Sequence, residues 1–204
     1  MIEWFRLYWP YALALAAACL LAAFMIKKAA VAYKRHQKEF HAEEARMRRL
    51  KALKDTYVPL TPAAIENAQV EDLLEGTALG LQLQLQKEEN MERAFLALNE
   101  ARQFVYTLDV FLSDKTAAVF FKENGQLLIS KIAPAFRAVG LAEFQPEIDR
   151  LAVMFDENDE TTSLDRNFVA KTDEKFSEGD LLTKIKLQGA YYIQSNPELF
   201  ITND

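Results

Sequence analysis

Residues 7–26 read LYWPYALALAAACLLAAFMI, twenty consecutive positions without a charged side chain. At about 1.5 Å of rise per helical residue the run reaches roughly 30 Å, the thickness of one bilayer core. Trp4, Phe5, Tyr8, Trp9 and Tyr11 crowd its first edge, where amphipathic rings favour the headgroup layer, and Lys27 and Lys28 close the other. The pattern predicts a transmembrane anchor over residues 1–28. A cleaved signal peptide fits less well, because Glu3 and two Trp would stand in its leading region and bulky Phe24-Met25-Ile26 would continue past a cut near Ala16-Ala17-Ala18. A buried core helix is the remaining reading.

Charge on either side of the run sets its expected orientation. Arg6, offset by Glu3, precedes it, whereas Lys27, Lys28, Lys34, Arg35 and Lys38 follow it, a basic collar suited to anionic lipid headgroups. The rule that cytoplasmic flanks are the basic ones predicts a single-pass protein of an inner membrane, with the N-terminus outside and the rest of the chain cytoplasmic. The one cysteine, Cys19, falls inside the run, so no intramolecular disulfide can form, in keeping with a reducing compartment.

Residues 29–58 form a basic juxtamembrane segment that lacks Pro and Gly until its end and should prolong the first helix. Ten Lys or Arg stand against three Glu between Lys27 and Lys54, a net +7. Ile26, Tyr33, Phe40 and Met47 recur every seven positions, a seam open to a second copy of the chain (a homodimer) or to the chain's own domain, although Ala29 or Ala30, His36 and Glu43 are poor partners for it. Direct nucleic-acid binding by this segment is not expected, since its juxtamembrane position explains the same charges. His36 and His41 are five apart, off the common helix face that a zinc pair uses, with no Cys beside them.

Tyr57-Val58-Pro59-Leu60-Thr61-Pro62 interrupts the helix and marks the start of a domain over 59–204. From Asp55 to Asp204 there are 13 Lys or Arg against 26 Asp or Glu, a net −13, so the whole-chain value of −6 conceals a polarised molecule. The expected fold class is all-α, an N-terminal transmembrane helix continuing into a basic connector helix, followed by a compact multi-helix domain. Thr61 should cap a helix from Ile65 to Gln86, where only the alternation of Leu79, Leu81, Leu83 and Leu85 hints at a strand. Asn90 and Asn99 are further caps. Phe104, Val105, Leu108, Phe111 and Leu112 form one broad apolar stripe. Asn124-Gly125 suits a left-handed helix end, Pro134 a kink, Gly140 a stop, and Pro146 a helix start. Helices over Leu164–Phe176 and Leu181–Ile193 follow, separated by Gly179-Asp180. The aromatic residues, Phe120, Phe121, Phe136, Phe155, Phe168, Phe176, Tyr191 and Tyr192 among them, should fill the core rather than a cofactor box.

Chemistry is the poorer side of the sequence. The domain contains no His and no Cys, which excludes Ser-His and Cys-His nucleophiles there, and neither a phosphate-cradling Gly motif nor a dinucleotide fingerprint occurs. A calcium loop starting at Asp156 would need Gly where Thr161 stands and Glu where Asn167 stands. We therefore expect a non-enzymatic protein without catalytic residues, cofactor or metal. Between Glu143 and Asp180, however, twelve carboxylates face four cations, a net −8 over 38 residues. Such a field attracts basic partners, while its bland reading is a solvated, solubilising face. The candidate partner-binding residues are Asp156, Glu157, Asp159 and Glu160 in a loop, with Asp149, Asp165, Asp173 and Glu174 on the flanking helices.

The string LNEARQFVYTLDVFLSD (98–114), the Phe120-Phe121 pair with Asn124-Gly125, Phe136-Arg137-Ala138-Val139-Gly140-Leu141 and the tail FVAKTDEKFSEGDLLTKIKLQGAYYIQSNPELF (168–200) resemble the bacterial DNA-mimic-protein-type helical domain family over about residues 98–200. The resemblance implies a small helical fold whose acidic surface imitates duplex phosphates and occupies the basic face of a transcription factor. The family's Asn-Gly-Gly-Phe element is missing, replaced by Asp114-Lys115-Thr116-Ala117. Together these readings predict a membrane-anchored domain that engages a basic protein partner, such as a nucleic-acid-binding one. The alternative is a structural adaptor or immunity-like component of a membrane complex that uses the apolar seam.

Overall fold

A computed structural model describes residues 2–155 and 165–201, with side chains from 24 onward except those at 26, 30–32 and 35. All regular structure among them is helical. The chain divides into two compact units, residues 1–50 and 51–204. The first unit is a single helix, the bulk of α1 (Ile2–Tyr57). Pro10 is tolerated within it, and the absence of Gly and Pro from there to Tyr57 leaves nothing to stop propagation. Among the described residues no helix is long and apolar enough to cross a membrane. The side chains of the apolar run up to position 23 lie outside the described set.

The second unit begins at Lys51 rather than at 59, because the last turns of α1 belong to its core: Leu53 and Tyr57 are both buried. Among the described residues nine further helices follow: α2 (Pro62–Glu66), α3 (Val70–Leu85), α4 (Met91–Ala97), α5 (Glu100–Asp114), α6 (Ala117–Glu123), α7 (Gln126–Ala138), α8 (Gln145–Met154), α9 (Arg166–Glu178) and α10 (Leu181–Ser195), with a 3-10 turn at Pro197–Leu199. Helices α3, α5 and α10 pack against one another, α7 lies on α5, and α8 lies on α7.

The predicted caps form where a short polar side chain precedes an apolar period. Thr61 Oγ1 accepts from the Ala64 N–H at 3.1 Å, and Asn90 and Asn99 Oδ1 accept from Arg93 and Arg102 N–H, each at 2.9 Å. The segment expected as one helix from Ile65 to Gln86 is two, since Asn67 ends α2 by donating its side-chain amide to the Ala63 carbonyl. The Leu79–Leu85 alternation is helical, with Leu81 and Leu85, four apart, buried.

Helix α7 runs through Pro134 and ends in a Schellman motif: Gly140 has φ +78°, the Leu141 N–H donates to the Phe136 carbonyl, and the Gly140 N–H to the Arg137 carbonyl. The left-handed end expected at Asn124-Gly125 is not there. Both residues are extended, and Asn124 instead donates its amide to Asp114 Oδ2 and the Phe120 carbonyl. The left-handed position lies earlier, at Lys115 (φ +65°), which closes α5 by donating its N–H to the Phe111 carbonyl.

Phe111 is the hub of the core. Its ring meets those of Phe120, Phe136 and Phe176 at centroid separations of 5.2, 5.7 and 6.4 Å, and Phe144 stands edge-on to Phe176 at 5.6 Å. Val105, Leu108 and Phe111 are buried as their stripe predicts, with Phe104 and Leu112 at its margins. Tyr191 is a correction: it is 51% exposed, because α10 turns Ala190 and Ile193 inward on either side of it.

Candidate functional site: the acidic helices and the exposed stripe

Helices α8 and α9 carry the described part of the acidic segment, and folding puts most of those carboxylates to internal use. Asp173, half-buried on α9, accepts from the main-chain N–H groups of Ala117 at 2.7 Å and Ala118 at 3.4 Å, and so caps the N-terminus of α6 from another helix. Asp165 is the N-cap of α9, accepting from the Asn167 and Phe168 N–H groups at 3.0 and 3.1 Å. Asp149 Oδ1 receives Arg137 Nη2 and Gln145 Nε2, both at 2.7 Å. Of the four predicted site residues in the described helices, Glu174 alone is exposed with no hydrogen bond or ion pair shown to it. Asp156, Glu157, Asp159 and Glu160 lie outside the described residues.

Neighbouring helices also bring cations that the 143–180 window omits. Arg137 from α7 pairs with Asp149, and Lys184 from α10 pairs with Glu143 at 2.7 Å. Within the window, Lys175 pairs with Glu147, and Arg150 lies 3.9 Å from Asp165 while stacking over the Phe168 ring. These exposed pairs contribute little stability, on the order of 0–1 kcal/mol each. They do reduce the local field. The outward-facing negative charge that remains on α9 is that of Glu174 and Glu178.

A second carboxylate group emerges only from packing. Asp109 on α5 shares its surroundings with Glu75 of α3 and Lys186 of α10. Burial first, then the Glu75 charge, pushes the Asp109 carboxyl up to about 7, with Lys186 pulling the other way. The charge of Asp109 also raises the neighbouring Tyr106 hydroxyl, after burial. The three residues are scattered over more than a hundred positions of the sequence, so no spacing could have announced them. Among the described residues no group of His, Cys, Asp or Glu could hold a metal ion.

On the first unit, the heptad stripe remains open. Tyr33, Phe40 and Met47 are 68%, 61% and 58% exposed, along with Phe24 and Met25. Every described side chain between 24 and 49 is exposed, so burial does not set the stripe apart from the other faces of that helix. No protein-family model, no curated protein and no solved structure matches the chain.

Proposed function

We propose that the chain is a membrane-anchored, non-enzymatic protein-binding molecule. Residues 7–26 span an inner membrane with the N-terminus outside, the basic collar Lys27, Lys28, Lys34, Arg35 and Lys38 lies at the anionic headgroups, and the helical domain faces the cytoplasm. Its acidic surface engages a basic protein, in the manner that the DNA-mimic-type resemblance implies, with a nucleic-acid-binding partner as the first candidate. The observation that carries this reading is the charge polarity, +7 over 27–54 and −13 over 55–204.

With Asp149, Asp165 and Asp173 committed to internal bonds, the contact falls on Glu174, Glu178 and the loop carboxylates Asp156, Glu157, Asp159 and Glu160. Capture from a lysate by the full chain in detergent should recover a basic protein that moderate salt releases. Changing those six residues to Asn or Gln should abolish capture. Retention of the same partner by that variant, in high salt, would overturn the acidic reading.

The exposed stripe favours a second reading, a structural adaptor. A parallel second copy paired through Tyr33, Phe40 and Met47 would set Glu39 opposite Glu44 and Arg46 opposite Lys51, like charges facing like. A different helix is therefore the better occupant. Loss of partners on changing Tyr33, Phe40 and Met47 to Ser, with the acidic residues intact, would select this reading.

A further inference from the structure

Within the second unit, α2 and the end of α10 enclose an open groove of about 640 Å³. Pro62 of α2 forms one wall, and Pro197 and Ile201, from the segment that follows α10, form the other. All three can be reached from outside: Pro62 is exposed, and Pro197 and Ile201 are half-buried.

Charge gives this apolar groove a sign. Among the described residues the ionisable side chains that line it are Glu66, on the α2 wall, and Glu198, on the opposite one. Both are exposed, and neither has an ion pair. In this they differ from Asp149, Asp165 and Asp173, whose oxygens are taken by internal donors.

The walls are formed in advance. Thr61 caps α2, and the first turn of α5 pins the segment after α10: Asn99 Nδ2 donates to the Leu199 carbonyl at 2.8 Å, while Arg102 donates Nε to the same carbonyl and Nη2 to that of Phe200, both at 3.0 Å. The Phe200 ring, 5% exposed, stands edge-on to Tyr192 at 6.1 Å. A partner therefore meets a surface that is already ordered, and little affinity is lost to ordering it. Apolar walls favour an apolar side chain over a hydrated ion, and two unpaired carboxylates without a cation repel an acidic segment and attract a basic one.

We propose that this groove anchors a basic segment of the protein partner: one large apolar side chain lies between Pro62, Pro197 and Ile201, and flanking Arg or Lys side chains meet Glu66 and Glu198. The inference rests on the reading of the chain as a binder of basic proteins, and it adds to the acidic surface a second, shaped contact outside the 143–180 window.

The test uses the full chain in phosphatidylcholine nanodiscs, with empty nanodiscs to subtract partitioning. The probe is the peptide acetyl-Gly-Arg-Phe-Arg-Gly-amide, titrated by ligand-observed NMR. It should bind saturably, and about tenfold more tightly than the same peptide with both arginines replaced by citrulline or with its phenylalanine replaced by serine. The double variant Glu66→Gln, Glu198→Gln should lose the preference for arginine over citrulline. The variant with Asp156, Glu157, Asp159, Glu160, Glu174 and Glu178 changed to Asn or Gln should keep it, so a failure of lysate capture on the acidic surface is told apart from a failure of the groove. Absence of saturable binding to the unmodified chain overturns the proposal. So does equal affinity for the arginine and citrulline peptides, a double variant that retains the preference, or loss of the peptide from the six-residue variant.

Discussion

Asp173 holds the N-terminus of a helix it does not belong to: its Oδ1 lies 2.7 Å from the main-chain nitrogen of Ala117, 56 residues away in sequence. The carboxylate thereby satisfies donors that the first turn of α6 leaves open and places a negative charge at the positive end of that helix. Asp173→Ala should cost about 2 kcal/mol, and Asp173→Asn, which keeps an acceptor without the charge, about 1 kcal/mol. Urea unfolding followed by circular dichroism measures both. A loss near zero in each would show that the bond contributes nothing.

Two glycines on α3 should respond in opposite directions. A Cβ on Gly76 would come within 2.5 Å of Tyr57 Cγ, a clash with a ring that is itself locked in the core, so Gly76→Ala should destabilise by about 2–3 kcal/mol. At Gly80 the nearest side-chain atom to a Cβ is Val58 Cγ2 at 3.5 Å, an ordinary contact. Gly80→Ala should stabilise by about 0.5–1 kcal/mol through helix propensity. The two thermal midpoints should move apart.

Lys115 occupies a left-handed conformation at φ +65°, where its Cβ crowds the backbone. Lys115→Gly should gain about 1 kcal/mol in stability, read from the urea midpoint at unchanged slope. A Lys115→Ala variant keeps the Cβ and should gain nothing.

The raised carboxyl of Asp109 makes stability depend on pH. Its ordinary value of 3.8 becomes about 7 in the folded chain, so between those limits the folded state binds more protons than the unfolded one. Stability contributed by the protonated group is present below about pH 4 and is lost as pH rises through about 7. Asp109→Asn should therefore flatten the profile over this interval and stabilise the chain at pH 8 by about 1–3 kcal/mol, discounted for the partial exposure of the site. Unfolding at pH 5, 6.5 and 8 checks the slope. If the unmodified chain and the variant run in parallel, the Glu75–Asp109–Lys186 arrangement does not exert this effect.

Helical class was legible because it rests on local physics. The apolar period at Val105, Leu108 and Phe111, the caps at Thr61, Asn90 and Asn99, and the stop at Gly140 each involve residues within a few positions of one another, so propensity and spacing suffice to find them. The failures are equally instructive. Asn124-Gly125 has the composition of a left-handed end, but Asn124 is drawn to Asp114 and Phe120, and the positive φ moves to Lys115, where no propensity scale would place it.

The apolar run, the change of charge sign beyond Lys54 and the lack of His and Cys after residue 54 belong to the sequence alone, and no fold could alter them. Which carboxylates face outward was decided only by tertiary structure. Counting along the chain cannot register that Arg137 and Lys184 fold onto α8, or that Asp173 is turned toward α6. The same holds for the Asp109 cluster. Charge and periodicity are properties of adjacent residues, whereas desolvation and pairing are set by which distant side chains the packed helices bring within a few ångströms.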